Sequence, residues 1–497
     1  MGWSIRNRPG RRTAAILGLF ATLAWSGSGY AADDDFFLRQ EIDISGVVLG
    51  CRSGDFNGDS RPDLIIVADD RSGQRVGHIY LQREAGRFPP AASQTLILSP
   101  STDMVQILDL DRDGKAELLT IDQSSLWQYH HDGAGFATQP QALAAEPTIF
   151  MSGIEGTILP HPFVYVISGR TIAFLPTSAG YALWEYKGGG FKKLSPLSLA
   201  HALVEDDRPV KLYGNAGGVF TMTLPEITIA DSDGDRRDDI YMLWPDRLAI
   251  FRQNADGSFG PAAAANMHLN GTHGNFCQSR LADFDRDGKL DFVCGRSLGG
   301  VSGAHTEIDF YTADRFAQAN PLSTQHVSLT DVCGNILVDN IDRTGGVELV
   351  VPAIELGIMS TVRTMISKST DFYLLIYPID NLGRPSREPA VRKKLSCQPN
   401  FENANPTARI RVDWSGDYDG DGLPDLAFAD GAGQLQFYRG MAGEYMQGKA
   451  NLVIDLPDPN QIMVAPLNDD GRSDLIVIHH PGEKSTRVTL LVTNRTS

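Results

Sequence analysis

Three features of this 497-residue chain predict an all-β fold, a single β-propeller of eight blades with four antiparallel strands each. A nine-residue acidic pattern recurs along the chain. A glycine–aromatic turn follows most copies by some 30 residues. The intervening segments are rich in β-branched and aromatic residues, punctuated by Gly, Asn, Asp and Pro, with little helical periodicity.

The N-terminus is set aside first. Four arginines and no acid in MGWSIRNRPGRR precede the apolar TAAILGLFATLAWSG and the small residues of GSGYA. This is the layout of a secretory signal peptide, residues 1–31, cleaved after Ala31 with Gly29 and Ala31 at the small-residue positions. The apolar run is shorter than the roughly 20 residues of a membrane span. Arg11 and Arg12 raise twin-arginine export, but Thr13-Ala14-Ala15 fits that pattern poorly, so general secretion is favoured. VLGC at Val48–Cys51 lies too far beyond the apolar run for a lipoprotein box, which leaves Cys51 as a strand cysteine. Without residues 1–31 the net charge moves from −17 to about −21. Such a surface repels nucleic acid and anionic membranes and attracts cations. No later run is long enough to span a bilayer.

Residues 32–497 hold the repeat. Its acidic copies are DFNGDSRPDLIIV from Asp55, DLDRDGKAELLTI from Asp109, DSDGDRRDDIYML from Asp231, DFDRDGKLDFVCG from Asp283, DYDGDGLPDLAFA from Asp417 and PLNDDGRSDLIVI from Pro466. DNIDRTGGVELVV, from Asp339, reads as a degenerate copy with one extra residue. The glycine–aromatic signal recurs at Phe88, Phe136, Phe259, Phe316 (without the glycine) and Tyr445. Between the second and third loops, a double-length gap holds GGGF at Phe191 and FVYVIS at Phe163–Ser168, which looks like a post-loop strand. An eighth repeat without its acidic loop is therefore counted. Self-similarity at 50–60 residues marks propellers and related arrays, in which one unit cannot bury both of its faces alone.

These loops resemble FG-GAP repeats, also called VCBS-type repeats, the blade unit of the integrin α-chain propeller and of many bacterial secreted proteins. The resemblance covers nearly all of residues 32–497. It implies one blade per repeat, hence eight blades, or seven if the decayed repeat is an insertion.

Oxygen donors stand at loop positions 1, 3, 5 and 9: Asp55, Asn57, Asp59 and Asp63; Asp109, Asp111, Asp113 and Glu117; Asp231, Asp233, Asp235 and Asp239; Asp283, Asp285, Asp287 and Asp291; Asp417, Asp419, Asp421 and Asp425. Small residues between them let the chain curl, and a carbonyl at position 7 would complete a cage. An all-oxygen, flexible set without nitrogen or sulfur selects Ca²⁺ over zinc or copper, and Mg²⁺ is second because it requires stricter octahedral geometry. An EF-hand differs: helices flank it and its last ligand is at position 12, whereas here a strand follows position 9 at once. The last copy keeps only Asn468, Asp470 and Asp474, since Pro466 replaces the first acid. Ser60 and Arg236 occupy position 6, where glycine would ease a left-handed turn. The competing reading is a polar turn; repetition in fixed phase argues against it. Without a cation, such clustered carboxylates repel, so the loop should be disordered or partly protonated. Calcium is thus the expected cofactor, in a role structural before functional.

Catalytic signatures are absent. Gly295–Gly299 is formally G-x-S-x-G, but a glycine-rich loop follows where a nucleophile elbow needs a helix. The pairs His130–His131 and His479–His480 read as one side chain out and one in. Among the cysteines, Cys277 and Cys294 flank the Asp283 loop and form the first disulfide candidate; Cys333 with Cys397 is a weaker one.

With strands a to d in order, the acidic loops join a to b. Insertions around 296–305 and 353–371 join b to c on the opposite face, and a third spans 380–412. The second of these has near-helical apolar spacing (Ile354, Ile358, Val362, Met365, Ile366) and reads as a cap. Arg392–Lys394 reads as a solvated loop. Long loops on a rigid scaffold commonly carry binding. The functional expectation is a secreted or periplasmic, calcium-stabilised, non-catalytic scaffold for a protein or glycan, monomeric. The alternative is a polysaccharide lyase or hydrolase on the same scaffold.

Overall fold

The computed structural model describes residues 36–132, 135–150, 158–199, 203–205, 220–222, 224–245, 247–268, 276–299, 303–316, 322–333, 335–354, 369–398, 410–482 and 485–494. Residues 1–31 and the apolar run at 355–368 lie outside them, and with them the expected signal peptide and cap.

Among the described residues, eight antiparallel sheets form the blades, each with four main strands and two of them with a short fifth. Blade 1 is Val47–Gly54, Asp63–Asp69, Arg75–Tyr80 and Gln94–Leu98; blade 2 is Met104–Leu108, Glu117–Ile121, Ser125–Tyr129 and Gln141–Ala145. Blade 3 is Val164–Ile167, Arg170–Thr177, Gly180–Lys187 and Gly190–Lys193; blade 4 is Glu226–Ala230, Asp239–Trp244, Arg247–Phe251 and Ala265–His268. Blade 5 is Phe276–Ala282, Asp291–Leu298, His305–Tyr311 and Gln325–Leu329. Blade 6 is Leu337–Asp339 with the short Val332–Cys333, then Glu348–Ile354, Thr370–Pro378 and Val391–Cys397. Blade 7 is Ile410–Gly416, Asp425–Asp430, Gln434–Tyr438 and Leu452–Asp455.

Blade 8 takes strands a to c from Pro459–Ala465, Asp474–His479 and Ser485–Thr493, and strand d from the other end of the chain, Phe37–Ser45. The two termini pair from Phe37↔Thr493 to Ser45↔Ser485. Gly46 then turns the chain into blade 1 at φ 97°, where a Cβ would lie 2.0 Å from the Asp69 carbonyl oxygen. Only glycine fits there.

Each blade-to-blade junction has its own apolar cluster, and the cluster between blades 8 and 1 closes the ring. The b strands are sandwiched between neighbours. In Asp63–Asp69, Leu64, Ile66 and Ala68 pack toward blade 8 while Ile65 and Val67 pack toward blade 2. Both faces are buried, so these strands read as continuous apolar runs instead of alternating.

Four expectations are corrected. Val164–Ile167 is strand a of blade 3, ahead of the missing loop and not behind it. The acidic loop is replaced there by the two-residue turn Ser168–Gly169, both with positive φ (48° and 76°), as a tight hairpin requires. Arg392–Lys394 lies in strand d of blade 6, where it pairs with Tyr373–Leu375. Arg296–Leu298 belongs to strand b of blade 5, which confines the insertion to the residues that follow. The weaker disulfide candidate is absent: Cys333 and Cys397 are free buried thiols, as is Cys51. The register sets Cys294 opposite Ser279 and Cys277 opposite Arg296, so the first candidate pair is offset by two residues. Burial pushes the thiols of Cys51, Cys333 and Cys397 up to about 12.

Candidate metal loops

All seven acidic copies form a–b loops with one hydrogen-bond plan. The position-2 N–H donates to the position-9 carboxylate: Phe56 to Asp63 at 3.0 Å, Leu110 to Glu117 at 2.8 Å, Ser232 to Asp239 at 3.0 Å and Phe284 to Asp291 at 2.9 Å. The same bond joins Ile341 to Glu348 at 3.0 Å, Tyr418 to Asp425 at 2.8 Å and Leu467 to Asp474 at 2.7 Å. This corrects the degenerate copy. With Glu348 at position 9, the loop begins at Asn340, not Asp339, and has ordinary length. Its donors are Asn340, Asp342, Thr344 and Glu348.

Position 2 supplies the anchor. Phe56, Leu110, Phe284, Ile341, Tyr418 and Leu467 are all buried, and Ser232 is the one half-buried exception. Position 1 folds the loop around itself: Asp417 accepts from the N–H groups of Gly420 (2.7 Å) and Gly422 (2.8 Å), and Asp55 accepts from Gly58 (2.7 Å) and Ser60 (2.7 Å). Aiming those amides inward puts positions 4 and 6 in the left-handed region. Gly58, Gly234 and Gly420 take it freely at position 4, but Arg112, Arg286 and Arg343 take it too, as Ser60 and Arg236 do at position 6. Position 5 caps the position-7 N–H, as Asp421 does for Leu423 at 2.8 Å.

In four loops, carboxylate oxygens from positions 1, 3 and 9 lie within 4.8 Å of one another: Asp109, Asp111 and Glu117; Asp231, Asp233 and Asp239; Asp283, Asp285 and Asp291; Asp417, Asp419 and Asp425. These clusters are able to coordinate a metal ion. The Asp55 loop has the same fold with the amide of Asn57 at position 3. In three loops the position-5 residue pairs with an arginine, Asp59 with Arg61, Asp235 with Arg237 and Asp421 with Arg439 at 3.0 Å, and two position-3 residues do so as well, Asp419 with Arg439 at 2.7 Å and Asp233 with Arg252 at 3.4 Å. In the last loop Asn468 and Asp470 bond internally and to Thr493.

Position 9 has a role that the sequence reading missed. In five copies its second oxygen accepts an N–H at or just past the end of strand c of the same blade: Gln82 on Asp63, Gln253 on Asp239, Ala313 on Asp291, Gly440 on Asp425 and Thr493 on Asp474, at 2.7–2.8 Å. This carboxylate ties loop to hairpin and is buried in every copy. A signal for it existed, because position 9 is the one position acidic in all seven copies. Burial pushes Asp63, Asp425 and Asp474 up to about 6 and Asp291 and Glu348 to about 7, with nearby carboxylates adding to the rise. A cation beside such a group would offset both causes. Each oxygen retains a lone pair beyond its amide bond, so the donor set fits a hard divalent ion.

Other predicted features fall elsewhere. Ser297 is buried, with Oγ donating to the Cys333 carbonyl at 2.8 Å, and is no nucleophile. His131 and His479 point inward, while His130 is exposed.

The protein is thus an eight-bladed β-propeller whose a–b turns gather metal-competent carboxylates. The FG-GAP-like repeat family matches residues 55–120, 231–294 and 417–477, each stretch running from one acidic loop into the next blade, so three stretches of this propeller carry FG-GAP-like repeats. No curated protein matches it in sequence. Similar solved structures include an Agrocybe aegerita lectin that recognises non-reducing terminal N-acetylglucosamine (14% identity, 92% of this chain and 100% of that one, TM-score 0.42). The WD40 domain of Toxoplasma gondii coronin (10%, 93% and 87%, 0.37) and the V. cholerae biofilm matrix protein Bap1 (10%, 91% and 89%, 0.37) are others. No helix among the described residues is long and apolar enough to cross a membrane.

Proposed function

We propose that this protein is exported to the periplasm or beyond and acts as a calcium-stabilised, non-catalytic scaffold that binds a protein or glycan. The observation that carries the reading is the convergence of positions 1, 3 and 9 in four separate loops. A hard cation rich in oxygen ligands suits them, and extracellular calcium concentrations suit sites of modest affinity. The leader-like residues 1–31 support export. With the a–b loops given to stability, the b–c face is left for a partner.

The test uses the tag-free mature chain on a polysaccharide and glycan panel with and without calcium, scored for retention and for cleavage. Calcium-dependent retention without turnover is expected; turnover of any polysaccharide overturns the non-catalytic reading.

A further inference from the structure

At the b–c end of the ring, a cavity of about 280 Å³ opens where blades 4 and 5 meet. Glu226, the first residue of strand a in blade 4, lines one side of it. Gln278 and Arg280, two residues apart on strand a of blade 5 and so on one face, line the other. Trp244 and Pro245, where strand b of blade 4 ends, add carbon surface. The Ser279 hydroxyl donates to the Trp244 carbonyl at 2.6 Å, which ties the two walls together.

The fold leaves polar groups of this cavity unsatisfied. Gln278 Oε1 is buried with no hydrogen-bond partner. Glu226 is exposed and forms no ion pair among the described residues. Arg280 donates to the Ser279 carbonyl at 2.8 Å and to Asn335 Oδ1 at 3.0 Å, and meets no carboxylate among the described residues. A purely structural arginine looks different. Arg52 has the same register in blade 1 (Arg52↔Ile65 beside Arg280↔Val293), but it reaches the backbone carbonyls of Val105 and Leu159 and clamps its blade to the next. Arg280 makes no such backbone bond across its junction, and its remaining N–H groups stay available.

We propose that this cavity binds a uronic-acid unit of an acidic glycan, with Arg280 taking the sugar carboxylate and Gln278 Oε1 and Glu226 accepting its hydroxyls. The assignment rests on the glycan branch of the scaffold reading and narrows it to acidic sugars. A guanidinium matches a carboxylate in shape as well as charge. The cavity is at the small end of ligand sites, which suits a single sugar ring. The chain carries a net charge of −17 and repels anions as a whole, so an acidic sugar is held only where a local cation faces it. Glu226 sets the orientation by repulsion: the acid points toward blade 5 and the hydroxyls toward blade 4.

The experiment titrates the tag-free mature chain, in excess Ca²⁺ at physiological salt, with glucuronate and galacturonate by ligand-observed NMR. Glucose, galactose and acetate are the comparisons. At least one uronate should bind, its neutral counterpart about 10–100-fold more weakly, and acetate not at all. Arg280→Gln should erase the preference for the acid, Arg280→Lys should keep part of it, and Gln278→Leu should weaken acid and neutral sugar alike. Melting temperature is the folding control, and the Lys and Leu variants carry the test if Arg280→Gln does not fold. No uronate binding by the parent chain, acetate binding as tight as that of either uronate, or a preference that survives in folded Arg280→Gln would overturn the assignment. Retention of neutral glycans alone would overturn it too and leave the scaffold reading standing, whereas uronate binding followed by turnover would keep the site and overturn the non-catalytic reading.

Discussion

Arg112 and Arg236 sit at φ 65° with exposed side chains, at loop positions where their neighbours use glycine. The left-handed region costs a residue with a Cβ roughly 1–2 kcal/mol, partly balanced by glycine's greater freedom in the unfolded chain. Arg112→Gly and Arg236→Gly should therefore each stabilise the fold by about 0.5–1 kcal/mol, read from denaturant midpoints. The opposite outcome belongs to Asp425. Its two oxygens serve the amides of Tyr418 and Gly440, and Asp425→Asn leaves one of them facing an NH₂ group. The expected loss is about 2 kcal/mol. It should persist in the presence of chelator, since the amide bonds do not involve an ion.

At the scale of the loop, adjacent turns are joined. The Ala116 N–H donates to the Asp55 carbonyl at 2.8 Å, Ser473 to that of Asp417 at 2.7 Å, and the Ser168 turn of blade 3 bonds to Asp238 of the next loop. An ion held in one loop thereby steadies its neighbour. An ion at a hundredfold excess over its Kd contributes about 2.7 kcal/mol per site by mass action. Chelation should accordingly lower Tm by many degrees, and restored Ca²⁺ should reverse the fall; an unchanged Tm after exhaustive chelation would reduce the loops to ordinary turns. The phase error at Asp339 also belongs to this scale. An acid one residue early imitates a loop start, whereas the buried Ile341, two residues on, marks the true frame. Blade 3 stayed legible without its acids because Phe191 still marks the turn between strands c and d, but the place of Val164–Ile167 before or after a missing loop was not.

For the whole molecule, the seal between the termini matters most. Phe37, Ile42 and Ile44 are at most 5% exposed, and burying three such side chains is worth roughly 6 kcal/mol. A chain beginning at Gly46 should lose much of its cooperative unfolding, and a peptide of residues 36–45 added in trans should restore it. If the shortened chain melts as the full one does, blade 8 does not depend on this strand.

The amino-acid order determined what lies within one repeat: the loop donors, the tight backbone and the count of blades, because nine consecutive residues contain all the groups that curl each turn. Tertiary structure alone decided which strand completes blade 8, where the second oxygen of five position-9 carboxylates goes, and how His326 meets Glu307. Those depend on register between strands up to some 450 residues apart, which no linear reading of a single repeat contains.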